Sequence, residues 1–262
     1  MFGRNDTADS DTTSPDTMNL DDSHPNQKRI IPIFPIDLVF FPRQDMPFGV
    51  IEPRYKQLVD DCMINDGQFG VCLIDVYNSI KGWNAPLQVG TIAKIMSCKD
   101  VGLDGRLELK IVGRGRFKID KIIPPAFDMP PDYDPHTPEG HQDVSERHEK
   151  VGLGQKMYIQ AHVSLIPEID EAVPINKWEE IVAMWKEKVV AQALPKIVEP
   201  SALNRVLEQY YLATETPTID YIYSLSALGA NRPEDLQPLL EANTMDELIS
   251  RVKELMAARR SD

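Results

Sequence analysis

His136, His141 and His148 crowd into one short stretch of this 262-residue chain. Neutral imidazole is a common metal ligand, so such a stretch is the first place to look for chemistry. The gaps of four and six residues match no ligand spacing that a helix or turn uses to hold one ion. The three read as side chains of a solvated loop, and no metal is expected. His162 alternates with apolar neighbours, as a structural strand residue does. Cys62, Cys72 and Cys98 form an odd set without metal-ligand spacing and read as free, largely buried thiols. No serine elbow is present, and nothing pairs a Ser or Cys with a His. Residues 152–156, GLGQK, bring glycines near a lysine, but the spacing is not that of a phosphate loop and a strand is expected to follow. The chain is therefore expected to be noncatalytic and to need no cofactor.

Arg114-Gly115-Arg116 raises the possibility of nucleic acid. Two arginines at alternate strand positions share a face and could grip a phosphate. The formal net charge of −13 opposes tight nonspecific binding. A structural role, with acidic loops as partners, is the favoured reading. Glu52 and Arg54 also read as structural, since a carboxylate near a helix start is favourable.

The elements that must position these residues fall into three regions. Residues 1–27 hold six aspartates against one arginine among Ser, Thr, Pro and Asn, and are expected to form a disordered acidic tail. They lack the basic and apolar regions of a signal peptide, and no apolar run approaches the roughly 20 residues that cross a bilayer, so a cytoplasmic chain is expected. Residues 28–168 read as β-rich, with strands over 30–34, 46–52, 69–75, 89–98, 107–112 and 117–123. A bend spans 37–43, and Pro53 opens a helix over 54–64. Residues 77–87, with Gly82 and Trp83, read as a loop. Residues 124–153 hold six prolines by residue 138 and read as a mobile insertion before a last strand near 158–163.

Residues 169–262 read as helical. Trp178, Ile181, Val182, Trp185 and Val189 make one stripe over 176–193, and Ser201 caps a helix over 202–212. Thr216-Pro217 starts another helix, with Ile219, Ile222, Tyr223 and Leu225 at helical spacing. A short helix runs over 233–241, and Thr244 and Glu247 fit a capping box for 248–258.

Residues 31–55 hold five prolines among nearly continuous apolar residues. Proline removes a ladder donor, so each must sit at a strand edge, end or turn, which suits a short, curled sheet. This run also carries a family resemblance. Pro35-Ile36, Val39, Phe41-Pro42, Met46-Pro47-Phe48 and Glu52-x-Arg54-Tyr55 resemble the opening of the substrate-recognition domain of Lon proteases. The strand from Val89-Gly90-Thr91 to Ile95 is similar to that family's next signature. The same holds for the hairpin at Asp104-Gly105-Arg106 with the segment ending at Arg116-Phe117. The order and spacing match over roughly residues 29–260, with residues 124–153 displacing the last strand.

The resemblance implies an α+β fold: a curled, mostly antiparallel sheet or pseudo-barrel of the PUA-like kind with an early helix, followed by a C-terminal helical subdomain. It implies a noncatalytic, stand-alone module that binds exposed apolar segments of unfolded polypeptides, with a protease as a further partner. The chain ends where the family's ATPase and peptidase would begin. Phe40, Phe41, Met46 and Phe48 cannot all face inward on an alternating strand, and with Trp83 they are the candidate polypeptide-contact patch. The competing reading makes most of them core. The alternative function is an RNA- or nucleotide-ligand-binding module, which would need a basic face around Arg114, Arg116 and Lys118.

Overall fold

A computed structural model describes residues 29–101, 105–193 and 216–258. The acidic tail, the helix expected over 202–212 and the side chain of Val189 lie outside the described residues.

The prolines of the opening run are placed by how strand β1, Arg29–Ile36, changes partner midway. Residues 29–32 pair antiparallel with β7, Gln160–Ile166, and residues 33–36 pair parallel with β3, Gln68–Ile80. Each half uses different neighbours, which leaves sites where a missing N–H costs no ladder bond, and Pro32 and Pro35 fall one in each half. This split closes a sheet in the order β1, β7, β6, β5, β3 and back to β1. β5 is Val89–Val101 and β6 is Arg106–Ile123. β2, Asp45–Val50, adds to the far end of β6 as an outer strand, where Pro47 is tolerated. Helix α1, Pro53–Ile64, begins with Pro53 in its first turn, as expected, and buries Tyr55, Leu58, Val59 and Cys62.

Two differences from the expectation bear on the site. Residues 77–87 are not a loop. β3 continues to Ile80 and turns into β4, Trp83–Pro86, through Lys81 and Gly82. Both turn residues have positive φ, 52° and 81°, which matches the twist of a tight two-residue hairpin turn. The stretch 124–153 also contains a docked helix, α2, Pro138–Val151. Thr137 Oγ1 accepts the Gly140 N–H, Pro138 takes the first turn, and Val144 and His148 are buried. Proline at a helix start is preorganised for the helix and does not break it.

The fold is α+β. Behind the sheet lie α3, Ile175–Ala193; α4, Ile219–Gly229; a 3₁₀ turn at Pro233–Asp235; α5, Gln237–Leu240; and α6, Met245–Ala257. Their apolar stripes, including Trp178, Ile181, Ile222, Tyr223, Leu248 and Val252, join Val39, Phe41, Leu73 and Val89 of the sheet region in one hydrophobic cluster. A second cluster lies between α1 and the sheet, with Phe34 stacked on Tyr55 at 3.7 Å between ring centroids. A third, including Ile33, Cys72, Ile92 and Phe117, fills the closed sheet.

Candidate functional site

The bend over 37–44 and helix α4 come together where the sheet meets the helices. The bend is held at many points. Arg43 takes a left-handed φ of 62°. Phe41 N–H donates to Gln44 Oε1 at 3.1 Å, and the Thr91 hydroxyl donates to the Phe40 carbonyl at 2.5 Å. Arg43 N–H donates to the Gly113 carbonyl and Gly113 N–H to the Gln44 carbonyl, both at 2.9 Å. Only glycine fits at 113, because a Cβ there would lie 2.3 Å from the Phe41 carbonyl oxygen. Helix α4 faces the bend with Tyr223, whose ring stacks on Phe41 at 4.2 Å and 12°. Burial pushes the Tyr223 phenol up to about 12, and that phenol also lies in the fields of Arg116, Glu168, Asp220 and Arg43.

Between bend and helix lies a cavity of about 90 Å³. Phe41, Pro42, Tyr223 and Ala227 form its apolar wall, and Arg43 and Asp220 its polar one. Arg43 Nη1 sits 3.4 Å from Asp220 Oδ2, with the two side chains 55% and 42% exposed. Such a pair contributes at most about 1 kcal/mol. Asp220 Oδ1 is buried and has no hydrogen-bond partner among the described residues. Glu168 lies within the field of the same charges. Desolvation raises its carboxyl, Arg116 and Arg43 oppose that shift, and Asp220 adds to it.

The candidate contact residues do not form an exposed patch. Phe40 is 1% exposed and Phe48 5%, and both belong to the cluster under α1, with Met46 half-buried against it. Strand alternation is satisfied because Phe40 and Phe41 lie in the bend, where one enters each core. Trp83, 1% exposed, is covered by the 124–157 segment and packs with Val144, Met157 and Tyr133. Of the five, Phe41 alone lines the cavity, and it does so from within the core.

The arginine pair is also rearranged. Thr91 pairs with Arg116 and Ala93 with Gly113, so β6 carries one extra residue over this interval. The bulge puts the two side chains on opposite faces, leaving Arg114 exposed and Arg116 buried. Arg116 donates to the carbonyls of Leu240, Ala242 and Pro167. It therefore ties the sheet to the helices and adds nothing to a basic face with Arg114 and Lys118.

The remaining chemistry-bearing groups have structural partners. His148 Nε2 lies 2.8 Å from the Gln155 carbonyl and His141 Nε2 2.7 Å from that of Pro135, so these two are not side chains of a solvated loop. His136 is exposed. Among the described residues no group of three or more His, Cys, Asp or Glu side chains is arranged to hold a metal. Lys156 donates to Asp61 at 2.8 Å, beside the Tyr158 hydroxyl. The Arg54 guanidinium lies between the rings of Tyr55 and Trp83, at 4.1 and 4.2 Å, and bonds Glu52 at 2.8 Å. Burial pushes the Cys62 thiol up to about 12 and that of Cys72 also upward, so both stay protonated and unreactive at neutral pH. Among the described residues no helix is long and apolar enough to cross a membrane.

A family model described as the ATP-dependent protease La (LON) substrate-binding domain matches residues 30–258. The chain belongs to this family. Two solved structures share the fold of this chain. One is a Lon N-terminal domain protein from Xanthomonas campestris, at 21% identity and a TM-score of 0.54. It matches over 87% of this chain and 98% of that one. The other is the N-terminal domain of a Mycobacterium avium complex Lon protease, at 13% identity and a TM-score of 0.52, with the same coverage. No curated protein matches the sequence.

Asp220 and Ala227, which line the cavity, were not singled out from the sequence, and Tyr223 was read only as part of a core stripe. No local pattern marks them, because the cavity joins segments as far apart as Arg43 and Asp220, 177 residues along the chain.

Proposed function

We propose that the chain is a noncatalytic polypeptide-recognition module that binds exposed apolar segments of unfolded proteins and presents them for proteolysis. The observation that carries this reading is the substrate-binding family match, which extends from residue 30 to residue 258. The bolted bend against α4 supports it, since a preformed crevice loses little freedom on binding. Affinity in such a module comes from apolar burial over a small area, which favours micromolar binding and fast release. The nucleic-acid alternative loses its main support with Arg116 turned into the core and a net charge of −13.

The test is fluorescence anisotropy of a labelled, permanently unfolded model protein, such as reduced and alkylated lactalbumin, titrated with the full chain. Saturable binding in the micromolar range is expected. Native lactalbumin and single-stranded RNA should both fail to bind. The reading is wrong if the unfolded protein does not bind or if RNA binds more tightly.

A further inference from the structure

We infer that the open edge of β5, beside the last turns of α1, takes an extended polypeptide segment as an added strand and selects one with an apolar and a basic residue two positions apart. This rests on the polypeptide-recognition reading above and specifies where, and in what conformation, a segment is held.

The edge follows from unequal strand lengths. β5 runs to Val101, but β3 begins at Gln68, which pairs with Lys94. The Ile95 N–H still reaches the Gly67 carbonyl at 2.9 Å. Beyond it, among the described residues, 96–101 pair with β6 alone. The chain enters β3 from α1 through the turn at 65–67, so it lays no strand beside this part of β5. Alternation shows which backbone groups are open. The Gly113 N–H bonds the Gln44 carbonyl on the β2 side. Lys110 and Glu108 therefore face β5 and hold their partners Ser97 and Lys99. The N–H and C=O groups of Cys98 and Asp100 then face the open edge. Donors and acceptors at this spacing match an extended backbone and no compact ligand.

One stripe of α1 supplies the side-chain contacts. Lys56, Asp60 and Met63 are four and three residues apart and share a helix face. Lys56 Nζ lies 3.3 Å from where a Cβ on Gly105 would sit, at the hairpin turn before β6. Burial raises the Cys98 thiol, and the carboxylates of Asp60 and Asp100 raise it further, which puts both beside it. The stripe thus runs along the edge from the hairpin turn back toward Met96 and ends at Met63. Met63 and Met96 are 54% and 57% exposed, and methionine adapts to apolar side chains of varied shape. Residues two apart on an added strand share a face. One can rest on the methionines while the next meets Asp60 and Asp100. A lysine or arginine there finds opposite charge, and an aspartate or glutamate is rejected.

The experiment repeats the lactalbumin titration with two full-length variants. Asp100→Pro removes an edge N–H and a carboxylate without touching a bond to β6. Met63→Glu replaces the apolar contact on an exposed helix position. Circular dichroism checks folding. Asp100→Pro should weaken binding about tenfold and Met63→Glu at least about threefold. Met63→Glu carries the test alone if the proline variant does not fold. Hydrogen exchange read by NMR on the saturated wild-type complex should show the Cys98 and Asp100 amides slowed about tenfold or more. Unstructured Gly/Ser peptides then compete with the unfolded protein. A peptide with leucine and lysine two positions apart should displace it, while the same peptide with glutamate for lysine, or serine for leucine, should not. Undiminished binding by the folded variants, unchanged exchange at both amides, or equal competition by all three peptides overturns the edge and leaves the module standing. A wild type that light scattering finds dimeric, and that Asp100→Pro makes monomeric, gives the edge to a second copy and also overturns it. A wild type that binds no unfolded chain overturns both.

Discussion

Arg116 is the residue on which the sheet-to-helix contact turns. One extra residue in β6 rotates it inward, where it is 1% exposed and donates to the carbonyls of Pro167, Leu240 and Ala242. A guanidinium presents five donors in a planar fork, so one side chain can satisfy several carbonyls that diverge in direction. Lysine carries the same charge as a single point and cannot span them. Hydrogen bonds to charged groups contribute about 1.5–3 kcal/mol each, and acceptors left buried and unpaired add to the loss. Arg116→Lys should therefore cost about 3 kcal/mol or more in urea denaturation, despite conserving charge. A loss below about 0.5 kcal/mol would show that the fork geometry does not matter here. The sequence offered two arginines on one face, and the bulge that separates them has no signature in residue types alone.

Among the elements, the β3–β4 hairpin supports the most. Lys81 and Gly82 turn it, and it presents Trp83 to the segment that follows β6. Trp83 Nε1 donates to the Phe127 carbonyl at 3.2 Å, Lys81 Nζ to that of Pro125 at 3.0 Å, and Met129 N–H to that of Lys81 at 2.8 Å. Val144 of α2 and Met157 pack on the same indole. Trp83→Ala should cost about 3–5 kcal/mol. It should also release α2 first, so hydrogen exchange across Pro138–Val151 should speed up while β3 and β6 stay protected. Uniform loss of protection would mean that the segment is not a separate layer resting on the hairpin. Most strands and α1 were legible from their apolar runs, but the two strands read over 107–112 and 117–123 are one, β6, because Gly113 and Gly115 lie within a bulged strand and do not end it. The hairpin was not legible, because polar Tyr77-Asn78-Ser79 interrupts the strand pattern and Lys-Gly is a weak turn signal. Helix α2 was missed because it buries only Val144 and His148, too few for a stripe, and because Pro138 reads as a breaker. The capping box before α6 was half right. Thr244 Oγ1 accepts the Glu247 N–H at 3.2 Å, but Glu247 Oε2 accepts from Asn243 N–H, one residue before the cap.

At the scale of the molecule, the division into 28–168 and 169–262 read from composition meets a core that crosses it. Val39, Phe41, Leu73 and Val89 belong to the same buried cluster as Ile222, Tyr223, Leu239 and Val252. Gln237 Nε2 adds a bond to the Val89 carbonyl at 3.1 Å. Burying a side chain of this kind contributes about 1.5–3 kcal/mol, so the four from the sheet region contribute together about 6–12 kcal/mol. The two parts should therefore unfold in one transition, and a fragment of residues 28–168 should not fold alone. It is expected to melt without a sigmoidal transition and to bind a hydrophobic dye through the uncovered Phe41 and Leu73. A cooperative melt of that fragment near the full-length midpoint would show that the sheet needs no helices. Phe41 ties this stability to the cavity: its ring is shared by the common core and the cavity wall, so undocking the helices would also remove the cavity.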